Sequence, residues 1–323
     1  MKKVVIAQKI CEEAQNILNN VAELVFVNEG NLNEFISAIK TKDAVGVVLG
    51  TWVKFTKEMM DSAPDLKIIS RTGAGVDNVD VNSATERGIM VLNTPEANLI
   101  SVAEHTVALI AAISKQLLFL DKELRKNNFK ARRLNLPVEI NGKILGLVGC
   151  GKIGRLVAKK CINAFDMKVF GYDPYLKNDI DGIKLVDNIE EIFKISDYIS
   201  LHLPLTESTR NIIGDKLLSI MKPESYLINT ARGGIIDERA LTDKLKNKNI
   251  AGAALDVFSH EPPEDNNELL ELSNVILTPH SAALTKECTV RVAIEAASGI
   301  ADYLNKKLPK FIYNKEVLNK IYI

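Results

Sequence analysis

Cysteine is scarce in this chain: Cys11, Cys150, Cys161 and Cys288 are the four among 323 residues, with no CxxC and no other metal-type spacing. That pattern argues against a disulfide framework and a cysteine-built zinc site, and it fits a reducing cytoplasm. Aromatic residues are few, at 6%, and neither charge is in surplus, with 41 basic side chains facing 41 acidic ones. A protein that grips nucleic acid or an anionic membrane presents a basic face, so neither is an expected partner. Long apolar runs are also missing, none reaching the roughly 18 residues that span a bilayer. The opening Met1-Lys2-Lys3-Val4-Val5-Ile6 meets polar Gln8 too early for a signal-peptide core and reads as a first strand. What is present is a chain 46% hydrophobic and 25% charged, the balance of ordinary globular domains. Its length suits about two of them.

Short β-branched runs alternate with helix-length segments through the N-terminal third. Val4–Ala7, Leu24–Val27, Val45–Leu49 and Leu66–Ser70 read as strands. Cys11–Leu18, Leu32–Ile39 and a stretch from Thr56 to Ala63, halted by Pro64, read as helices. The alternation predicts βαβ units and a parallel sheet. Ser101-Val102-Ala103-Glu104 has the form of a capping box and predicts a helix from Ser101 to about Asn127. Its centre, Val107–Ile113, is apolar on every face, so it is covered on more than one side, either at a subunit interface or between two domains. A second series follows Asn141-Gly142, with strands at Ile144–Val148, Lys168–Tyr172, Tyr198–Leu203, Tyr226–Asn229, Ala251–Val257 and Val275–Leu277, and the chain is helical again from Lys286. The reading is an α/β fold of two doubly wound parallel-sheet domains.

Gly149-Cys150-Gly151-Lys152-Ile153-Gly154 is a GxGxxG that directly follows a strand and opens the helix Ile153–Phe165. The next strand ends in Asp173, nineteen positions after Gly154. This is the context of a dinucleotide-binding turn. Gly149 allows the tight turn, Gly151 lets the backbone approach a pyrophosphate, and Gly154 lets helix and strand pack closely. The pyrophosphate is expected at the helix N-terminus, where free N–H groups and the dipole favour anions. Asp173 can accept bonds from ribose hydroxyls and, with no arginine beside it, opposes a 2′-phosphate, so the expected cofactor is NAD.

The chain has four histidines. His105 lies inside the apolar helix and reads as structural, His202 as a packed or locally bonded strand end, and His260 as a loop residue without an evident partner. His280 ends a strand in Thr278-Pro279-His280, and ligands of doubly wound sheets bind beyond the carboxyl ends of strands. Arg232 follows the strand Tyr226–Asn229, and Glu261 follows the strand ending near Phe258. Each alone reads more readily as a surface ion pair or cap. Together on one edge they form a chemical set. An arginine grips a carboxylate at two points, and a glutamate holds an imidazole in one tautomer and favours its protonated form.

These segments resemble the D-isomer-specific 2-hydroxyacid dehydrogenases over nearly the whole chain. The resemblance rests on Arg71-Thr72-Gly73-Ala74-Gly75-Val76-Asp77-Asn78, the glycine turn with Asp173, Asn229-Thr230-Ala231-Arg232-Gly233-Gly234, and Asp256 to Pro262 with Thr278-Pro279-His280. It implies a flavodoxin-like substrate domain, residues 1–98 plus 288–323, with an inserted Rossmann NAD-binding domain, residues 99–287. It also implies a small 2-oxo or 2-hydroxy acid as substrate, with Arg232 binding its carboxylate and polarising its carbonyl. His280 would be the acid/base and Glu261 its partner, while Gly73, Ala74 and Gly75 would present backbone N–H groups to the substrate. Lys152, Ile153, Thr206, Thr230, Ala231, Arg232, Asp256, His280 and Ala282 would line the cofactor, and the helix after Ser101 would make a homodimer. No metal is implied.

Within the family the chain resembles the short-type branch acting on 3-phosphoglycerate in serine biosynthesis, without a C-terminal regulatory domain. Where that branch shows Arg-Ser-x-Thr, this chain has Leu49-Gly50-Thr51-Trp52-Val53-Lys54. Lys54 keeps one phosphate-binding cation, Arg132 or Arg133 could add another, and Gly50 removes the arginine. Hydroxypyruvate, glyoxylate or another small 2-oxo acid is therefore a rival substrate. NADH-sensing co-repressors, which act as binding modules, share the fold. Formate dehydrogenases do too, but pair their histidine with an amide.

Overall fold

The β-branched runs of the N-terminal third become β1 (Lys3–Ile6), β2 (Glu23–Phe26), β3 (Ala44–Leu49) and β4 (Ile68–Arg71) of the computed structural model, which describes residues 1–134 and 136–321. A further strand, β5 (Met90–Leu92), is too short to declare a period in the sequence. Among the described residues these form one sheet, all pairs parallel, in the flavodoxin-like order β2-β1-β3-β4-β5. Phe35, Phe55, Met60 and Ile69 fill one layer of core. On the other, Ala293, Ala296, Ala297 and Ile300 of the helix Lys286–Leu304 pack on Val4, Ile6, Ile68 and Met90. Alanine on the helix face permits close approach, and Ser70 Oγ donates to the Ala296 carbonyl at 3.0 Å. Each fully buried Ile or Phe here stabilises by about 1.5–3 kcal/mol.

The chain divides into two compact units, Met1–Asn98 with Leu284–Ile323, and Leu99–Ala283. The return at Leu284 precedes the expected 288 because the helix Lys286–Leu304 belongs with its cap, Thr285, whose side chain accepts the Cys288 amide at 3.1 Å.

The second unit holds β6 (Ile144–Val148), β7 (Lys168–Tyr172), β8 (Ile183–Leu185), β9 (Tyr198–Leu201), β10 (Tyr226–Asn229), β11 (Gly252–Leu255) and β12 (Val275–Leu277). All described pairs are parallel, in the order β12-β11-β10-β9-β6-β7-β8, a Rossmann order with one strand added. β9 and β11 end two residues earlier than the sequence indicates, and those residues begin the loops that carry the site.

The long helix predicted from Ser101 to Asn127 is two helices. Leu99–Ser114 ends, Gln116 turns into the left-handed region (φ 51°), and Leu117–Arg125 continues at a 58° bend. The Ser114 carbonyl accepts the Val138 amide at 2.9 Å, so a returning segment takes a bond that a continued helix would need. Ser101 is buried within the first turn and is not the N-cap, and the Glu104 side chain pairs with Lys160 at 3.3 Å. Ala103, Leu109, Ile110 and Ile113 pack into a core shared with Leu145 and Leu147 of the sheet. No single helix among the described residues is long and apolar enough to cross a membrane.

Candidate active site

The glycine turn is dictated by crowding. Gly149 has φ +97°, and a Cβ there would lie 2.5 Å from the His202 carbonyl oxygen. At Gly151 a Cβ would meet nothing within 4 Å, so the backbone is open above the start of the helix Lys152–Phe165. Open backbone, the N-terminus of a helix with its dipole, and a nearby acid fit a dinucleotide. The acid is Asp173, whose Oδ2 accepts the Cys150 amide and Oδ1 the Tyr175 amide, each at 3.0 Å. A carboxylate has about four acceptor sites, so capacity remains for ribose hydroxyls. Burial, helped by the Asp173 charge, pushes the Cys150 thiol up to about 12, which makes it a packing group and not a nucleophile. Burial pushes the His202 imidazole down to about 4, and its Nε2 bonds Ser200 Oγ at 3.0 Å.

β10, β11 and β12 deliver the charged set. After β10, the Asn229 side chain folds the loop on itself, accepting the Ala231 amide at 3.0 Å and donating to the Arg232 carbonyl at 2.9 Å. Gly233 is required here, because a Cβ would lie 1.9 Å from the Phe258 carbonyl carbon. After β11, Glu261 Oε1 accepts the Phe258 amide at 3.1 Å and Oε2 lies 2.7 Å from His280 Nδ1. With Nδ1 engaged, Nε2 is the ring nitrogen left for a substrate proton. Burial raises the Glu261 pKa, but the His280 and Phe258 hydrogen bonds with the charges of His280 and Arg232 outweigh it, leaving the carboxyl below its usual range. Among the remaining histidines, His260 Nδ1 lies 2.9 Å from the Pro262 carbonyl and is exposed.

Other expected site residues fall into different places. Thr206 is exposed, its hydroxyl in a turn with Ser208 and Thr209 at 3.0 Å. Lys152 is exposed and Ile153 half-buried at the start of their helix. Thr230 and Ala282 are buried. Asp256, expected to line the cofactor, is buried. Its side chain is 1% exposed, and its carboxylate accepts from Thr278 Oγ1 (2.5 Å), Ser281 N (2.8 Å) and Ala282 N (2.9 Å), so it braces the loop carrying His280. His105, read as merely structural, reaches this network, with Nε2 3.1 Å from Thr278 Oγ1. The sequence offered one signal for this, a polar Glu-His-Thr step inside an apolar helix. Thr278 figured only as part of Thr278-Pro279-His280, and Ser281 had no signal.

In the first unit, the Ala74 and Gly75 amides have no acceptor among the described residues, and the Ala74 carbonyl takes the Asn93 amide group at 2.7 Å. Gly73 holds its place through the Thr94 amide, 2.9 Å from its carbonyl. Asn78 donates to the Gly50 and Val53 carbonyls at 2.9 and 2.7 Å, tying the Gly50–Lys54 loop to this turn. Lys54 is exposed. A Cβ at Gly50 would lie 2.4 Å from Gln8 Oε1. Arg132, in the second unit, stacks on Phe129 at 4.4 Å. Among the described residues, no group of three or more His, Cys, Asp or Glu could hold a metal.

Residues 107–282 match the model of the D-isomer specific 2-hydroxyacid dehydrogenase, NAD binding domain. The chain belongs to this family, and its second unit is the NAD-binding domain. It is 41% identical over 317 residues to the D-3-phosphoglycerate dehydrogenase of Methanocaldococcus jannaschii, covering 97% of this chain and 60% of that one. It therefore spans little more than half the length of such curated relatives. It is also 41% identical over 292 residues to the hydroxypyruvate reductase of Thermotoga maritima, covering 90% of this chain and 94% of that one. A solved acyclic imino acid reductase in complex with NADPH and D-Arg superposes with a TM-score of 0.86 at 35% identity, covering 96% and 99% of the two chains.

Proposed function

We propose that this protein interconverts a D-2-hydroxy acid and its 2-oxo acid with NAD, and that the substrate is 3-phosphoglycerate and its oxidised form. The observation that carries the reaction is the 2.7 Å pair of Glu261 and His280 at the sheet edge that also bears Arg232. A bound nicotinamide supplies or accepts the hydride. The chain does the rest: Arg232 binds the carboxylate and polarises the carbonyl, and His280 Nε2 gives the carbonyl oxygen its proton during reduction. Glu261 balances the positive charge on the imidazole until that proton leaves. In the first unit, the Ala74 and Gly75 amides serve the substrate carboxylate and Lys54 serves the phosphate. Asp173 favours NAD over NADP.

A second reading, reduction of hydroxypyruvate, is favoured by Gly50, which offers no phosphate-binding side chain and has Gln8 where a Cβ would go. NADH oxidation with 3-phosphohydroxypyruvate, hydroxypyruvate and glyoxylate separates the two. A kcat/KM at least about tenfold higher for the phosphorylated acid, roughly 1.4 kcal/mol, supports the first and equality supports the second. Turnover of none of them, with NADH bound, points to a binding module.

We further infer a homodimer in a reducing compartment. All four cysteines are free thiols. Leu117, Leu118, Leu124, Phe129, Leu134 and Leu136 are 53–74% exposed, apolar surface within one short stretch of chain that a second copy would cover. Leu124→Glu should yield monomers in light scattering.

A further inference from the structure

We propose that His105 and Thr106, neighbours on the helix Leu99–Ser114, are positioning residues for this chemistry, His105 for the loop bearing His280 and Thr106 for the loop bearing Arg232. The inference rests on the reading of those two groups as reacting residues. Thr278 Oγ1 lies 2.5 Å from Asp256 Oδ1, so its proton is committed to that carboxylate and its oxygen is free to accept. It accepts from His105 Nε2 at 3.1 Å, which places a hydrogen on that nitrogen, itself 3.6 Å from Asp256 Oδ1. The same buried aspartate takes the Ser281 and Ala282 amides on its side chain at 2.8 and 2.9 Å, and the His280 amide on its carbonyl at 2.7 Å. Bonds thus grip the chain before, at and after His280, and the His105 ring closes the network from the helix.

The loop needs this bracing because His280 sits at φ +50°, the left-handed region that disfavours any residue with a Cβ. Thr106 acts two strands over, at the end of β10. Its hydroxyl lies 2.8 Å from the Val102 carbonyl, where it donates as helical threonines do, and so accepts from Thr230 Oγ1 at 2.8 Å. Thr230 is buried two positions before Arg232. Consecutive residues of one well-packed helix therefore hold two strand ends of one sheet edge, on either side of β11, and small misplacements there cost rate steeply.

The test compares pairs of variants in the full chain. His105→Leu should lower kcat for the best 2-oxo acid about tenfold or more, with NADH affinity and Tm nearly unchanged, while His105→Gln, which keeps an N–H at the Nε2 position, should restore kcat to within about threefold. Thr106→Val should raise the KM of the 2-oxo acid more than it lowers kcat, and Thr106→Ser should reverse that. His105→Leu at wild-type kcat, or Leu and Gln variants equally impaired with equally lowered Tm, overturns the proposal. For the case in which the wild type turns over none of the acids tried, the His280 ring signals in NMR, assigned by their absence in His280→Asn, give a second readout. They should move in His105→Leu and not in His105→Gln, and unmoved signals in both overturn the proposal whatever the substrate.

Discussion

The carboxyl edges of the two parallel sheets are built differently. At the end of β10, β11 and β12 the chain presents charged side chains, each braced by others: Glu261 by the Phe258 amide and His280, and the His280 loop by Asp256. At the end of β3 and β4 it presents backbone amides of Ala74 and Gly75 and one exposed lysine, on loops tied together by Asn78. Moving a proton requires an ionisable group at a fixed point, which takes a dense set of bonds. Recognising the far end of a small acid requires only shape and a few donors. On the proposed function, the second unit supplies the proton step and the first unit's groups the choice of acid, and substitutions in the two should fail in different ways.

The largest effect belongs to the second edge. His280→Asn should lower kcat by about 10²–10⁴, the range for loss of a general acid, with NADH binding intact by fluorescence titration. A variant retaining a tenth of wild-type turnover would remove His280 from the proton's path. Next comes Arg232→Lys, because an ammonium cannot reproduce the planar two-point grip on a carboxylate. It should cost about 1.5–3 kcal/mol in kcat/KM for the 2-oxo acid, roughly tenfold to a hundredfold, and leave NADH affinity in place. Equal weakening of both ligands would show a structural role. Asp173→Ala tests the cofactor end of the same unit: the wild type should prefer NAD over NADP by more than about tenfold, and the variant should lose most of that preference. Equal use of both cofactors by the wild type would mean that the carboxylate faces away from the ribose. The smallest effect is on the first edge. Lys54→Gln should raise the KM for 3-phosphohydroxypyruvate several-fold, with an exposed charge worth about 1 kcal/mol or less, and leave hydroxypyruvate unchanged. Equal change for both would break the division of labour between the units.

The same contrast explains what the sequence showed. Glycine turns and charged residues just past hydrophobic strands are local patterns, so the positions of the glycine turn, Asp173, Arg232, Glu261 and His280 beyond their strands were legible. β5 and β8 are three residues each, too short for periodicity, and the break at Gln116 arises from a bond between Ser114 and distant Val138. Asp256 was legible as a site residue but not as a brace, because its partners Thr278, Ser281 and Ala282 lie more than twenty residues away. The free amides of Ala74 and Gly75 came only through family resemblance, since backbone donors leave no mark on composition.

The proposed proton step rests on the Glu261–His280 pair, and the pH profile of 2-oxo acid reduction in wild type and Glu261→Gln measures it. The Glu261 carboxyl lies below its usual value of 4.5, so its support for the protonated imidazole is complete above that pH and is lost only as the pH falls through the lowered value. In Glu261→Gln that support is absent at every pH. Reduction needs protonated His280, so the alkaline limb of the profile should retreat to lower pH in the variant while NADH affinity holds. An alkaline limb in the same place in both proteins would contradict the pairing and, with it, the assignment of the proton step to this edge.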